Sequence, residues 1–149
     1  MKTLASSEDL SAIQARIAQL TPDDPRQFGT MSVSEMVCHL RDAFAYSLGG
    51  RAVAPVKVPI PRSLFKWLAL RAPLQWRPGI KTPPEVDQRI GGTRPVDFET
   101  DRADLLSSLN EFVRSGLELP HPMFGAMSSD DWMRWGYLHC DHHLRQFGR

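Results

Sequence analysis

The sequence predicts an all-α protein: a four-helix bundle with a long proline-rich crossover that carries one short extra helix. Three observations lead there. Four long stretches repeat apolar residues at the three-to-four-residue spacing of an amphipathic helix. No window alternates with the period of two that a half-buried strand requires. Eight of the twelve prolines fall between Pro55 and Pro95, and none falls inside the four helical stretches.

The first helix is expected over Ser7 to Leu20, with Leu10, Ile13, Ile17 and Leu20 on one side. Thr21-Pro22-Asp23-Asp24-Pro25 ends it, because two prolines this close cannot continue the backbone bonding. The second helix starts at Ser32, where Ser32 and Glu35 have capping-box spacing and each side chain accepts from the other's backbone N–H. Val33, Met36, Val37, Leu40, Phe44 and Leu48 form its buried stripe, and Gly49-Gly50 stops it. In the crossover, Ser63 to Arg71 is an apolar helical segment expected to pack over the bundle. Connections of this length serve as lids and binding loops, or simply as topology, and the sequence leaves both open. The third long helix runs from about Thr100 to Ser115, with Leu105, Leu106, Leu109, Phe112 and Val113 inward. The fourth begins near Ser128-Ser129-Asp130-Asp131, whose hydroxyls and carboxylates suit a helix N-terminus, and continues almost to the last residue.

A chain of 149 residues fits one domain, 1–149, large enough to bury a core without staples. Its 18 basic and 17 acidic residues leave a formal net charge of +1, so no strong field gathers nucleic acid or anionic lipid. The N-terminus turns acidic where a secretory apolar region would sit, and no stretch is long and apolar enough to span a membrane. Cys38 and Cys140 make no disulfide framework. A reduced, cytoplasmic protein with neither nucleic-acid nor membrane partner is expected.

Three of the five histidines fall in His139-Cys140-Asp141-His142-His143. Helix residues four apart share a face, with Cβ atoms ~6 Å apart, so His139 and His143 can bind one metal ion from a regular backbone. Their face also holds Trp132 and Gly136, whereas Arg134, Asp141 and Arg145 mark the opposite, solvent side. Gly136 is read as leaving room beside the site. His142 sits about a quarter-turn away and is not expected to reach the same ion. An isolated H-x-x-x-H pair is also common in ordinary packing. The third histidine, His39, lies at the shoulder of the second helix's apolar stripe, a position suited to a site open to water or substrate. Three histidines plus one open position is the arrangement of a catalytic or exchangeable zinc or nickel site.

Two motifs give these positions a family context. His39-Leu40-Arg41-Asp42, preceded by Met31-Ser32-Val33-Ser34-Glu35-Met36, resembles the second-helix motif of the DinB/YfiT-like superfamily. His139 to Phe147 resembles its closing motif: a histidine, three residues, a second histidine and then a glutamine. His121-Pro122-Met123-Phe124-Gly125, with Ser128 to Trp132, is similar to an uncharacterised DinB-related branch, a domain family of unknown function. The resemblance runs from the second helix to the C-terminus, with no alignable motif in the middle segment. It implies a DinB-like four-helix bundle, often a homodimer, that binds a divalent metal ion, zinc or nickel, through His39, His139 and His143. Superfamily members include metal-dependent transferases that use low-molecular-weight thiols, hydrolases, and proteins without known activity.

The leading reading is therefore a metal-dependent enzyme, of thiol-transferase or hydrolase type, acting on a small molecule lined by Trp132, Trp135 and Trp67. The alternative is a non-catalytic metal- or ligand-binding bundle. Other residues carry two readings each. Glu35 is a base, a fourth ligand or a partner that supports a ligand, or simply the capping residue of Ser32, the last preferred; Asp42 orients His39 or is a solvated charge, the latter preferred. Cys38 and Cys140, about 100° from the neighbouring ligands, are read as small buried residues. His121 lines the pocket or holds its turn.

Overall fold

The computed structural model describes residues 1–117 and 119–149. Five helices follow one another as α1 (Ser7–Ala18), α2 (Val33–Ser47), α3 (Arg62–Leu70), α4 (Phe98–Arg114) and α5 (Ser129–Arg145), with one 3-10 turn at Pro84–Val86. Among the described residues there is no strand, so the all-α expectation holds. No helix among the described residues is long and apolar enough to cross a membrane.

The helix starts follow from side-chain caps. Ser32 Oγ accepts from the Glu35 N–H at 3.1 Å while Glu35 Oε2 accepts from the Ser32 N–H at 2.7 Å. Ser128 and Asp131 repeat the arrangement at the start of α5. Helix α4 begins at Phe98, ahead of the expected Thr100, because the Asp97 carboxylate accepts from the Thr100 N–H at 2.9 Å and caps it earlier.

Helices α1, α2, α4 and α5 form the bundle, with α2 against α4, α1 against α5 and α4, and α2 also against α5. Met36, Val37, Leu40 and Phe44 of α2 are fully buried, as the apolar stripe predicts, and Phe44 meets Phe112 of α4 at 4.8 Å between ring centroids. Gly136 does not leave room at the histidine site. A Cβ there would come within 2.6 Å of Leu4 Cδ1 and 2.9 Å of Phe112 Cε1, so the missing side chain admits the core itself. The face read as solvent-exposed is also covered in part. Arg16 of α1 and Arg145 both pair with Asp141 at 2.9 Å, and Arg134 donates to the backbone carbonyls of Leu70 and Lys2.

The crossover is tied down at two places. Helix α3 packs on the start of α5, where Lys66 and Arg71 reach the Asp131 carboxylate at 2.9 and 2.6 Å. Burial works to raise that carboxyl, but the two cations hold it below the ordinary aspartate range. Farther along, Asp42 is not the solvated charge expected from its position. It is 2% exposed and accepts from Gln88 Nε2 at 3.0 Å, from the Thr93 N–H at 2.7 Å and from Thr93 Oγ1 at 2.7 Å. Arg51 pairs with it at 3.2 Å and also donates to the carbonyls of Glu85 and Gly91. A buried carboxylate met by donors from three separate points of the crossover fixes that segment onto α2.

Replacing Asp42 by Ala leaves Gln88 and Thr93 without their acceptor and the half-buried Arg51 without its counter-charge, and a loss of about 2 kcal/mol is expected, mainly from the stranded donors. Urea unfolding measures the loss. Limited proteolysis should cut the Asp42→Ala variant within residues 76–95 faster than the wild type; equal cleavage rates would disprove the anchoring role.

Candidate metal centre

The site joins α2 and α5. Helical spacing stacks His139 and His143 on the face of α5 that meets α2, and the shoulder position of His39 on α2 brings its ring over both. The three rings form a near-equilateral triangle, with centroid separations of 5.1, 4.8 and 4.9 Å. One nitrogen from each lies within 4.8 Å of the others, a grouping that could hold a metal ion. His39 and His143 are buried, and His139 is partly open to the adjoining cavity.

Hydrogen bonds on the far side of two rings set their protons. The Val86 carbonyl can only accept, so the 2.9 Å contact places the His39 proton on Nδ1 and leaves a lone pair on Nε2. Gln146 Oε1, 3.1 Å from His143 Nδ1, does the same for the second ring. Gln146 is itself held by its surroundings: its main-chain carbonyl accepts from the Gln27 N–H at 2.7 Å. A Cβ on Gly29, whose φ is +78°, would fall 2.5 Å from Gln146 Nε2, so glycine is what lets this loop approach the glutamine. His139 is different. Its Nδ1 is buried without a hydrogen-bond partner, and its Nε2 lies 3.2 Å from Nε2 of His39. Nitrogens bound ~2.0–2.1 Å from a tetrahedral ion sit ~3.3 Å from one another, so this pair already has ligand spacing. Burial above all, with mutual repulsion added at His139 and His143, pushes all three imidazoles below the ordinary histidine range, and the cluster offers neutral nitrogen donors.

The remaining candidates fall outside the cluster. His142 turns away, with Nδ1 3.3 Å from the Trp76 carbonyl. Glu35 is occupied by Ser32 and by a two-pronged ion pair with Arg89, and Asp42 anchors the crossover instead of orienting His39.

A cavity of about 480 Å³ adjoins the three histidines, a volume typical of small-molecule sites. Trp135 lines it as expected. Trp132 does not: it is fully buried in the core, and Trp67 is 56% exposed on the outer side of α3. Sequence reasoning missed Tyr46 of α2 and Trp76; the tryptophan lines the cavity from the crossover while its Nε1–H donates to the Ala69 carbonyl. A single tryptophan in an irregular, proline-rich stretch has no periodicity that could mark it. His121 also lines this cavity, and it holds its turn as well.

A family model described as a protein of unknown function (DUF1569) matches residues 2–149. No curated protein and no solved structure matches the chain.

Cys38 and Cys140 are free and buried, and burial pushes both thiols up to about 12. Neither is expected to react with dithiobis-nitrobenzoate near pH 8 in the folded protein, whereas both should react once guanidinium unfolds it. Rapid labelling of either thiol in the native state would contradict this placement.

Proposed function

Because the chain belongs to the DUF1569 family, whose description carries no activity, we propose its function from the site: a metal-dependent enzyme of thiol-transferase or hydrolase type. In this reading His39, His139 and His143 hold one divalent ion, zinc or nickel. The observation that carries it is the meeting of three imidazole nitrogens within 4.8 Å at the wall of a cavity large enough for an organic substrate. Three protein nitrogens leave a coordination position free, as in catalytic sites, whereas structural zinc sites close all four. When bound there, such an ion supplies Lewis acidity that lowers the pKa of a water or thiol in the free position. Val86 and Gln146 orient two of the donors, and the apolar wall excludes bulk water from the reacting face. The second-helix histidine and the closing H-x-x-x-H pair support placing the family beside the DinB-like bundles.

A second reading, a non-catalytic metal- or ligand-binding bundle, draws on one specific feature. Among the described residues no Asp or Glu lines the cavity, so a general acid or base must come from a histidine, from Tyr46 or Lys81, or from the incoming molecule itself.

Elemental analysis of protein purified without a histidine tag should find about one ion per chain. His143→Ala should lose it while far-UV circular dichroism stays unchanged, because apolar stripes hold the bundle. His142→Ala should keep it. Metal retained by His143→Ala at wild-type affinity would refute the ligand set. Gln146→Ala should weaken metal affinity about 10–100-fold through the loosened His143 ring, read by chelator competition. Chelator-sensitive turnover in a panel of thiol conjugations and of ester and amide hydrolyses would favour the first reading; metal without turnover would favour the second.

A further inference from the structure

His121 stands in the same cavity and belongs to neither the ligand set nor the core. It lies in the turn before α5, which closes on Gly125 through two backbone hydrogen bonds of 2.8 Å. Its Nδ1 accepts from the backbone N–H groups of Met123 at 3.1 Å and Phe124 at 3.4 Å. A ring nitrogen that accepts carries no proton, so the single proton of this imidazole is on Nε2. That Nε2–H makes no hydrogen bond to the described residues, and it keeps access to the cavity. The ring is 7% exposed and stacks on Phe124 at 4.4 Å; burial pushes it down to about 3, so it stays neutral. Trp135 packs against His121 at 5.3 Å and against His139 at 4.8 Å, so one indole joins this donor to the three-imidazole cluster.

The charge around the cavity has one sign. Arg77 and Lys81 line it, both are exposed at its rim, and neither is paired with a carboxylate of the described residues. An apolar wall, an unsatisfied neutral donor inside and two free cations at the mouth select a molecule with an apolar body, an oxygen acceptor and a negative charge. We propose that the cavity binds an apolar organic carboxylate, with the Nε2–H of His121 donating to one of its oxygens and with Arg77 and Lys81 favouring the anion. That this ligand is the substrate rests on the metal-dependent reading above; that it binds does not.

The test uses the full chain stripped of metal by a chelator, so that failure here and absence of an ion are separate results. Calorimetric titration compares 4-phenylbutyrate with 4-phenylbutanol and 4-phenylbutylamine. The carboxylate should bind about tenfold tighter than the alcohol, and the amine weakest. The double variant Arg77→Gln, Lys81→Gln should bring the carboxylate towards the alcohol without changing the alcohol. His121→Phe keeps the stack on Phe124 and removes the donor, and should cost the carboxylate about tenfold. If that variant fails to fold, the wild type decides: in histidine-labelled protein the Nε2–H resonance of His121 should shift on adding 4-phenylbutyrate. Equal affinities for the three compounds, an unmoved Nε2–H resonance, or carboxylate binding that appears only after zinc is restored would each overturn the proposal.

Discussion

Three neutral imidazoles, buried and facing one another across two helices, are the constraint around which this molecule is arranged. Each is denied a second proton by burial, and repulsion from its neighbours strengthens that denial at His139 and His143. Buried lone pairs at this separation are unfavourable unless a cation or a shared proton, as in the 3.2 Å Nε2···Nε2 contact of His39 and His139, lies between them, or the rings are held in place. The rings are held: His39 from behind by a backbone carbonyl, His143 by the glutamine one turn farther along its own helix. The bundle fixes where α2 and α5 cross, and these two acceptors fix which nitrogens look inward.

The crossover, which reads as a connection, is therefore part of the site. It delivers the Val86 carbonyl to His39, the Trp76 ring to the cavity wall, and the Arg51, Gln88 and Thr93 donors to Asp42. Asp42 lies one turn beyond His39 on α2, so a single turn of helix both presents a donor nitrogen and binds the segment that orients it. Helix α3 secures the other end on the first turn of α5, through the carboxylate that also caps that helix.

Much of this was legible in the sequence because it obeys local rules. The Ser32–Glu35 box starts α2 where its spacing places it, and the i, i+4 spacing puts His139 and His143 on one face. His39 joined them because the shoulder of an apolar stripe meets the neighbouring helix. The illegible parts depend on long-range partners. A backbone carbonyl carries no residue signature, so Val86 could not be singled out. Asp42 reads as a surface charge until the crossover folds over it. Gly136 suggested open space, yet a glycine's absent side chain is available to whichever neighbour arrives first, here Leu4 and Phe112. Trp132 and Trp135 are three residues apart on α5 and meet at 5.3 Å, yet one faces the core and the other the cavity, a distinction that helical spacing alone does not resolve.

The Val86 carbonyl has one more consequence. It sits on a single 3-10 turn within an otherwise irregular stretch, and irregular segments open at a fraction of the free energy that unfolds a packed bundle. An opening of that turn would free the His39 ring to rotate and swap its tautomer while the four long helices remain intact. The contacts that pin the segment around Val86, from Arg51 to the Glu85 and Gly91 carbonyls and from Gln88 and Thr93 to Asp42, therefore protect the tautomer of a ring they never touch.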